Sequence, residues 1–320
     1  MSLPPEFSLI ARHFRPLAGE GALALSDDAA LLAPPAGQQL VLAADAMVAG
    51  VHFLPDDPPA SIGRKLLRVN LSDLAAMGAA PLGYLMTVAL PKGTTPEWLD
   101  GFGAGLAMDQ AEFGLSVLGG DTVSTPGPLS LSLTILGSVP PGEALLRRGA
   151  RPGDELWVSG TIGDGALGLR AARGELADDG FLAGRYRLPQ PRLALGQALR
   201  GVARAAMDVS DGLAQDAGHL CRLAECGAEI EAAAVPLSPA ARAALGADAA
   251  LLPLILSGGD DYELLFAAPP GDAARVQAAG RAARTPVTRI GRFTEGAPDV
   301  TVRDATGGLL NLPRGGWSHF

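Results

Sequence analysis

A two-domain α+β protein is what this sequence predicts, on three observations. The chain has 320 residues, longer than a single hydrophobic core usually grows. Strand-like and helix-like segments mix without a strict βαβ alternation. A stretch rich in Pro and Gly, from Pro140 to Gly153 (PPGEALLRRGARPG), separates them into two halves.

The elements follow in order. Gln39 to Ala43 is a short apolar run and reads as a strand. Ile62 to Met77 reads as a helix, with Leu67, Leu71 and Leu74 spaced to face a core. Leu82 to Leu90 is strand-like, and a helix is expected from about Pro96 to Phe113. Leu115 to Leu118 and Leu129 to Val139 are the next strands. Beyond the Pro/Gly stretch, Glu155 to Ser159 is a strand, and a glycine turn leads into a helix from roughly Asp164 to Arg173. Asp178 to Pro191 reads as irregular. Pro191 to Arg200 is helical, Ala205 to Val209 a strand, Asp211 to Cys226 a helix and Tyr262 to Ala267 a strand. Each half is expected to place an acidic turn after a short apolar strand.

Composition narrows the function. Apolar residues make up 48% of the chain, which excludes a disordered protein. A formal charge of -9, with no basic run and no aromatic-basic interleaving, argues against nucleic acid. The N-terminus, MSLPPEFSLIARHFRP, has no signal-peptide core, and Leu82 to Leu90 is too short to span a bilayer. No membrane association is expected. Cys221 and Cys226 lie in a helical pattern without a second pair and read as reduced core thiols. A cytoplasmic protein acting on small molecules is the simplest reading.

Several common motifs are absent. No Gly-Lys-Ser/Thr follows a spaced glycine, so there is no P-loop of the Walker type. No G-x-S-x-G elbow occurs, and the 4 histidines are scattered. Gly163, Gly165 and Gly168 match a dinucleotide fingerprint between a strand and a helix, but no second strand ends in an acidic residue about twenty positions on. A plain helix-opening turn is the better reading.

What stands out is a recurring aspartate beside glycine or serine: Asp27-Asp28, Asp45, Asp73, Gly120-Asp121, Asp208-Val209-Ser210-Asp211 and Gly259-Asp260-Asp261. Carboxylates among apolar residues are costly without compensation, and the lysines are only Lys65 and Lys92. Carboxylate oxygens with little His or Cys beside them select hard cations such as magnesium, manganese or calcium. Magnesium usually takes one or two protein carboxylates and completes its shell with water and phosphate, so this many aspartates suits several ions around a polyphosphate. Asn70 and Asp73 lie three apart on one helix face. Glycines before Asp121 and Asp260 allow close backbone approach to phosphate. Taken singly, an Asp after a strand is more often a turn former or helix cap, and Asp208, Ser210 and Asp211 can all cap the following helix.

The segments SDDAALL, LAADAMVAGVHF, VNLSDLAAMGA, LGGDT, LRRGARPGD, MDVSDGLAQD, LSGGDDYELLF and GGWSHF, in this order, resemble those of the thiamine-monophosphate kinases, over essentially the whole chain. The D-x-SDG and GGDT elements are shared across a superfamily that includes aminoimidazole ribonucleotide synthetase, selenophosphate synthetase and a hydrogenase maturation factor. The resemblance implies ATP-dependent phosphorylation of thiamine monophosphate to thiamine diphosphate with several magnesium ions. It implies a two-domain aminoimidazole ribonucleotide synthetase-like fold. An N-terminal ATP- and magnesium-binding domain (1–147) would pair its sheet with a second copy as a barrel in a homodimer, and a C-terminal α/β sandwich (148–320) would complete the phosphate and substrate site.

Carried over residue by residue, the family's metal ligands fall on Asp28, Asp45, Asp73, Asp121 and Asp208, with a further magnesium contact at Asp211. ATP contacts fall on Gly120, Asp121, Arg147 and Ser210, and substrate contacts on His52, Asp260 and Trp317. No protein base or nucleophile is implied. Arg147 offers a planar fork for phosphate, and Trp317 a flat face for a cationic ring. Two departures stand out: Ala43-Ala44 replace the family's hydroxyl residues before Asp45, and Asp260 replaces a Glu. Another ATP-dependent enzyme of the superfamily, or a noncatalytic nucleotide or metal sensor, are the alternatives. The selenide-activating type is disfavoured because the first cysteine is Cys221.

Overall fold

A computed structural model describes residues 5–312 and 316–318. The chain divides into two compact units, Met1–Leu74 with Ala80–Pro141, and Ala75–Ala79 with Gly142–Phe320.

The first unit begins with helix α1 (Pro5–Leu9) and is built on β1 (Gln39–Val48), α2 (Pro59–Ala76), β2 (Ala80–Pro91), α3 (Pro96–Phe113), β3 (Val117–Thr125) and β4 (Ser130–Val139). Its four strands run in the order β1-β4-β2-β3. β2 and β3 are parallel, while β4 is antiparallel to both β1 and β2. The helical spacing of α2 does what it predicts: Leu67, Leu71 and Leu74 are fully buried. α3 starts where Thr95 accepts the N–H of Trp98 ahead of Pro96, and stops at Gly114 in the left-handed region. In β1, Val41 and Met47 are buried while Leu40 and Leu42 are exposed, so one face of the sheet meets the core.

Three strands run longer than expected, β2 only by its end residues. β1 continues through Asp45 to Val48 because β4 pairs with it over its whole length, from Gln39↔Val139 to Val48↔Ser130. β3 is not Leu115 to Leu118 but starts at Val117 and carries Gly119, Gly120 and Asp121 inside the strand, held by β2 with Thr87 opposite Asp121. The acidic motif here is therefore an edge-strand segment rather than a turn after a strand. The sheet is open, with β1 and β3 at its edges, and forms no closed barrel among the described residues.

The second unit comprises β5 (Glu155–Ser159), α4 (Asp164–Ala172), α5 (Phe181–Arg187), α6 (Leu193–Ala198), β6 (Ala205–Asp208), α7 (Leu213–Ala224), β7 (Gly227–Glu231), α8 (Pro239–Ala247), α9 (Leu252–Ser257), β8 (Leu264–Ala268), α10 (Ala273–Ala282), β9 (Val287–Thr294) and β10 (Val300–Arg303). The six strands run β10-β7-β9-β5-β8-β6, mixed because β10 and β7 are parallel. Both faces of the sheet are covered. On one, Leu213, Ala217 and Leu220 of α7 join Leu156, Met207 and Leu265. On the other, Leu195 of α6 and Val276 of α10 join Trp157, Ala206 and Phe266. This explains the continuous apolar runs of β6 and β8. Cys221 and Cys226 are free and buried, as expected, and burial pushes the Cys221 thiol up to about 12. The stretch read as irregular contains α5, nucleated when the Asp178 carboxylate accepts the N–H groups of Leu182 and Ala183.

Candidate active site

In the first unit the expected residues fall into two groups. Asp28, Gly120 and Asp121 line one cavity of about 170 Å³, together with Asp27 and an apolar wall that includes Phe14, Met86 and Val117. Gly120 has φ 151°, and a Cβ there would sit 1.7 Å from the Met86 carbonyl oxygen, so only glycine permits the strand to close on β2 at this point. Asp27, Asp28 and Asp121 are all exposed. Asp121 uses Oδ1 to accept the N–H of Thr122 at 2.8 Å. Several acidic groups on one cleft repel one another until a cation shares them.

The second group is Asp45, Asp73 and His52. Asn70 is fully buried. Its Oδ1 accepts the Asp45 N–H at 3.2 Å and its Nδ2 donates to the Leu66 carbonyl at 2.9 Å, which pins β1 to α2. Asp73 lies one helical turn further along α2, so Asn70 serves as the brace and leaves the carboxylates as the candidate ligands. His52 Nδ1 accepts the Val48 N–H at 3.0 Å, so a neutral ring carries its proton on Nε2. The buried Lys65 ammonium donates to the His52 carbonyl at 3.0 Å and braces the loop. Asp45 and Asp121 stand on opposite edge strands, so the sheet does not gather all four carboxylates at one point.

In the second unit, Asp208 ends β6 and is buried, and the Val209 to Gly212 turn leads into α7. This turn is fastened by a residue that sequence reasoning missed. Asp216 accepts the N–H groups of Asp211 and Gly212, each at 3.1 Å. The N-cap position belongs to Gly212, which makes no side-chain cap hydrogen bond, so none of Asp208, Ser210 and Asp211 occupies it. Burial, then the charges of Asp208 and Asp211, push the Asp216 carboxyl up to about 8. Its sign in the sequence was an acid inside the first turn after SDG.

The loop carrying Asp260 runs beside this turn. The Asp260 N–H donates to the Ser210 carbonyl at 2.8 Å, and the Tyr262 N–H to the Val209 carbonyl at 2.7 Å. Asp260 itself has φ 65°, a left-handed conformation that aspartate tolerates. Trp317 reaches the same turn, its N–H donating to the Asp211 carbonyl at 2.9 Å. Gly315, His319 and Phe320 of the GGWSHF segment lie outside the described residues. Arg147 is exposed. Burial first, then the positive charges of Arg222 and Arg147, lower the His219 pKa, which places Arg147 near α7. Ligand atoms of Asp211, Asp216 and His219 lie within 4.8 Å of one another.

The Gly163 turn has a different answer. The fully buried Asp261 carboxylate accepts the N–H groups of Gly163 at 2.8 Å and Gly165 at 3.0 Å. The amides that a dinucleotide phosphate would take are thus filled by a carboxylate from 98 residues away. Among the described residues no helix is long and apolar enough to cross a membrane.

An acidic edge strand in the first unit and an acidic turn after β6 in the second define a class. Residues 26–139 match the family model of AIR synthase related protein, N-terminal domain, and residues 151–303 that of its C-terminal domain. A thiamine-monophosphate kinase of Caulobacter vibrioides is 47% identical over 99% of this chain and 91% of its own length. The crystal structure of thiamine-monophosphate kinase from Stenotrophomonas maltophilia K279a is similar with a TM-score of 0.81 and 42% identity, covering 87% of this chain and 89% of that one. AaThiL complexed with AMPPCP and TMP is similar with a TM-score of 0.78 and 30% identity, covering 92% of this chain and 91% of that one. The chain belongs to the thiamine-monophosphate kinase family.

Proposed function

We propose that this protein transfers the γ-phosphoryl group of ATP to thiamine monophosphate, giving thiamine diphosphate and ADP. The observation that carries the reading is the likeness, over 92% of the chain, to AaThiL complexed with AMPPCP and TMP. The cavity lined by Asp28, Gly120 and Asp121 supports it, since it combines carboxylates with a backbone that only glycine can shape.

The donor set suits magnesium, being carboxylate oxygens almost throughout. Several ions would share the ligands, Asp28, Asp45, Asp73 and Asp121 in the first unit and Asp208 and Asp211 in the second. When bound, magnesium neutralises the charge of the polyphosphate. Gly120, Asp121, Arg147 and Ser210 contact ATP. His52 and Asp260 contact the substrate, and Trp317 offers its face to the cationic ring.

A phosphate oxygen of thiamine monophosphate attacks the γ-phosphorus in line. The new P–O bond forms as the bond to the bridging β,γ-oxygen breaks, and ADP leaves. The acceptor phosphate loses its second proton at about pH 6, so no protein base is required.

Two copies pair through the first unit. Leu40, Leu42, Leu85 and Val123 share one face of the sheet by register, and all four are exposed. Covering them with the same face of a second copy, as a barrel across the dimer, removes an apolar patch from water. The buried, reduced cysteines suit the cytoplasm.

The test is a coupled assay of ADP release. Release that requires both thiamine monophosphate and magnesium is expected. Release driven by a different acceptor, or nucleotide binding with no release, would overturn the assignment.

A further inference from the structure

Trp317 is tied at both its backbone ends, to the Asp211 turn and to the first turn of α7 that follows it. Its N–H donates to the Asp211 carbonyl at 2.9 Å, and its carbonyl accepts from Gln215 Nε2 at 2.7 Å. The same Nε2 lies 3.2 Å from Asp211 Oδ2. A primary amide nitrogen carries two hydrogens, so one Gln215 side chain serves both the Asp211 carboxylate and the Trp317 backbone. Gly316 makes the approach possible, because a Cβ there would meet Gln215 Cβ at 2.5 Å and the Asp211 carbonyl oxygen at 2.6 Å. Trp317 nevertheless keeps 48% of its surface exposed. The backbone is held while much of the indole faces solvent, which is the arrangement a ring platform needs.

From these contacts we infer that Gln215 is a positioning residue for the thiamine monophosphate ring, latching the Trp317 segment onto the Asp211 turn. This rests on the reading of Trp317 as a substrate contact. Gln215 touches neither the transferred phosphoryl group nor the ring. It acts by ordering the segment before substrate arrives, so that binding does not have to supply that ordering. One amide also makes the Asp211 carboxylate and the Trp317 carbonyl neighbours, so the metal-bearing turn and the aromatic platform move together.

The test uses the full-length enzyme with Gln215→Met, which keeps the length and helix propensity but removes the donor, and Gln215→Ala as a second variant. KM for thiamine monophosphate is expected to rise about tenfold, with a smaller change in kcat and in KM for ATP. A second readout needs neither substrate nor magnesium. Acrylamide quenching of Trp317, taken as the difference between each protein and its Trp317→Phe counterpart, should increase. The Trp317→Ala enzyme should show a raised KM that Gln215→Met does not raise further.

If Trp317→Ala raises KM and neither Gln215 variant does, the latch is wrong and the platform stands. If Trp317→Ala leaves KM for thiamine monophosphate unchanged, the platform itself is wrong. Unchanged quenching overturns the latch. So does a loss in which kcat and KM for ATP suffer as much as KM for thiamine monophosphate, since that signals damage to the Asp211 turn alone.

Discussion

Arg192 clamps the buried carboxylate of Glu263, with Nε 2.6 Å from Oε2 and Nη2 2.5 Å from Oε1. Arg185 Nη2 adds a bond to Oε1 at 3.1 Å, and Ser159 Oγ donates to Oε2 at 2.6 Å. Glu263 is fully buried, as is its neighbour at one remove, Asp261. Two internal carboxylates thus anchor the loop that carries Asp260 in its left-handed conformation.

Glu263→Leu should be strongly destabilising. It leaves two guanidinium groups, each with most of its surface buried, without their shared partner. Breaking a buried ion pair from one side costs about 3–5 kcal/mol. Urea unfolding should show the midpoint falling accordingly, and Glu263→Gln should lose less because it keeps one acceptor.

Gly120→Ala places a methyl 1.7 Å from the Met86 carbonyl oxygen in a backbone conformation at φ 151°. Strand β3 must pull away from β2 or the chain must leave that conformation. A loss of at least about 3 kcal/mol is expected. Thermal unfolding measures it, and nucleotide titration should show weaker ATP binding in whatever fraction folds.

Asp73→Asn should abolish turnover, by at least about a thousandfold, without harming the fold. Asp73 is partly exposed on α2, and its core-facing neighbours Leu71 and Leu74 are untouched. Circular dichroism and the melting temperature should match the parent. Near-normal turnover at saturating magnesium would remove Asp73 from the metal site.

The Asp261 carboxyl should leave a signature in the pH dependence of stability. Burial pushes it up to about 8, against the amides of Gly163 and Gly165 that pull it down. Its value in the unfolded chain is about 3.9. Between those values the folded state holds a proton that the unfolded state has released, so this contribution to stability is full below about pH 4. It is lost progressively as pH rises toward about 8, by up to about 1.4 kcal/mol per unit. Asp261→Asn should be less stable by about 1–3 kcal/mol at low pH, because its amide turns an N–H toward another N–H. The gap between parent and variant should narrow with rising pH. Urea unfolding across this window checks both, and a constant gap would contradict the assigned ionisation.

Much of the fold was legible because local signals agreed. The apolar spacing of α2 and the Pro96 start of α3 came from periodicity and capping chemistry alone. β3 was misplaced because Gly119, Gly120 and Asp121 have poor strand propensity, and only pairing with β2 makes them a strand. α5 was missed because a seven-residue helix between prolines and glycines has little periodicity to show. In the site, Asp216 and Gln215 went unnoticed because their importance lies in bonds to a turn and a tail, not in a spacing.

By itself, the sequence determined the family, the two α+β halves, the apolar faces of the long helices and the list of carboxylates available to a cation. Those follow from composition, period and ordered motifs, which are properties of neighbours along the chain. Only the tertiary structure decided which carboxylates share a cleft and which become internal fasteners. Asp28 lines the same cleft as Asp121, which stands on the edge strand β3. Asp261 is held by two amides of the Gly163 turn, while Asp260, one residue earlier, stays partly open to solvent. Adjacent and chemically identical, the two aspartates are set apart by burial and by hydrogen bonds from residues 98 and 96 positions earlier in the chain.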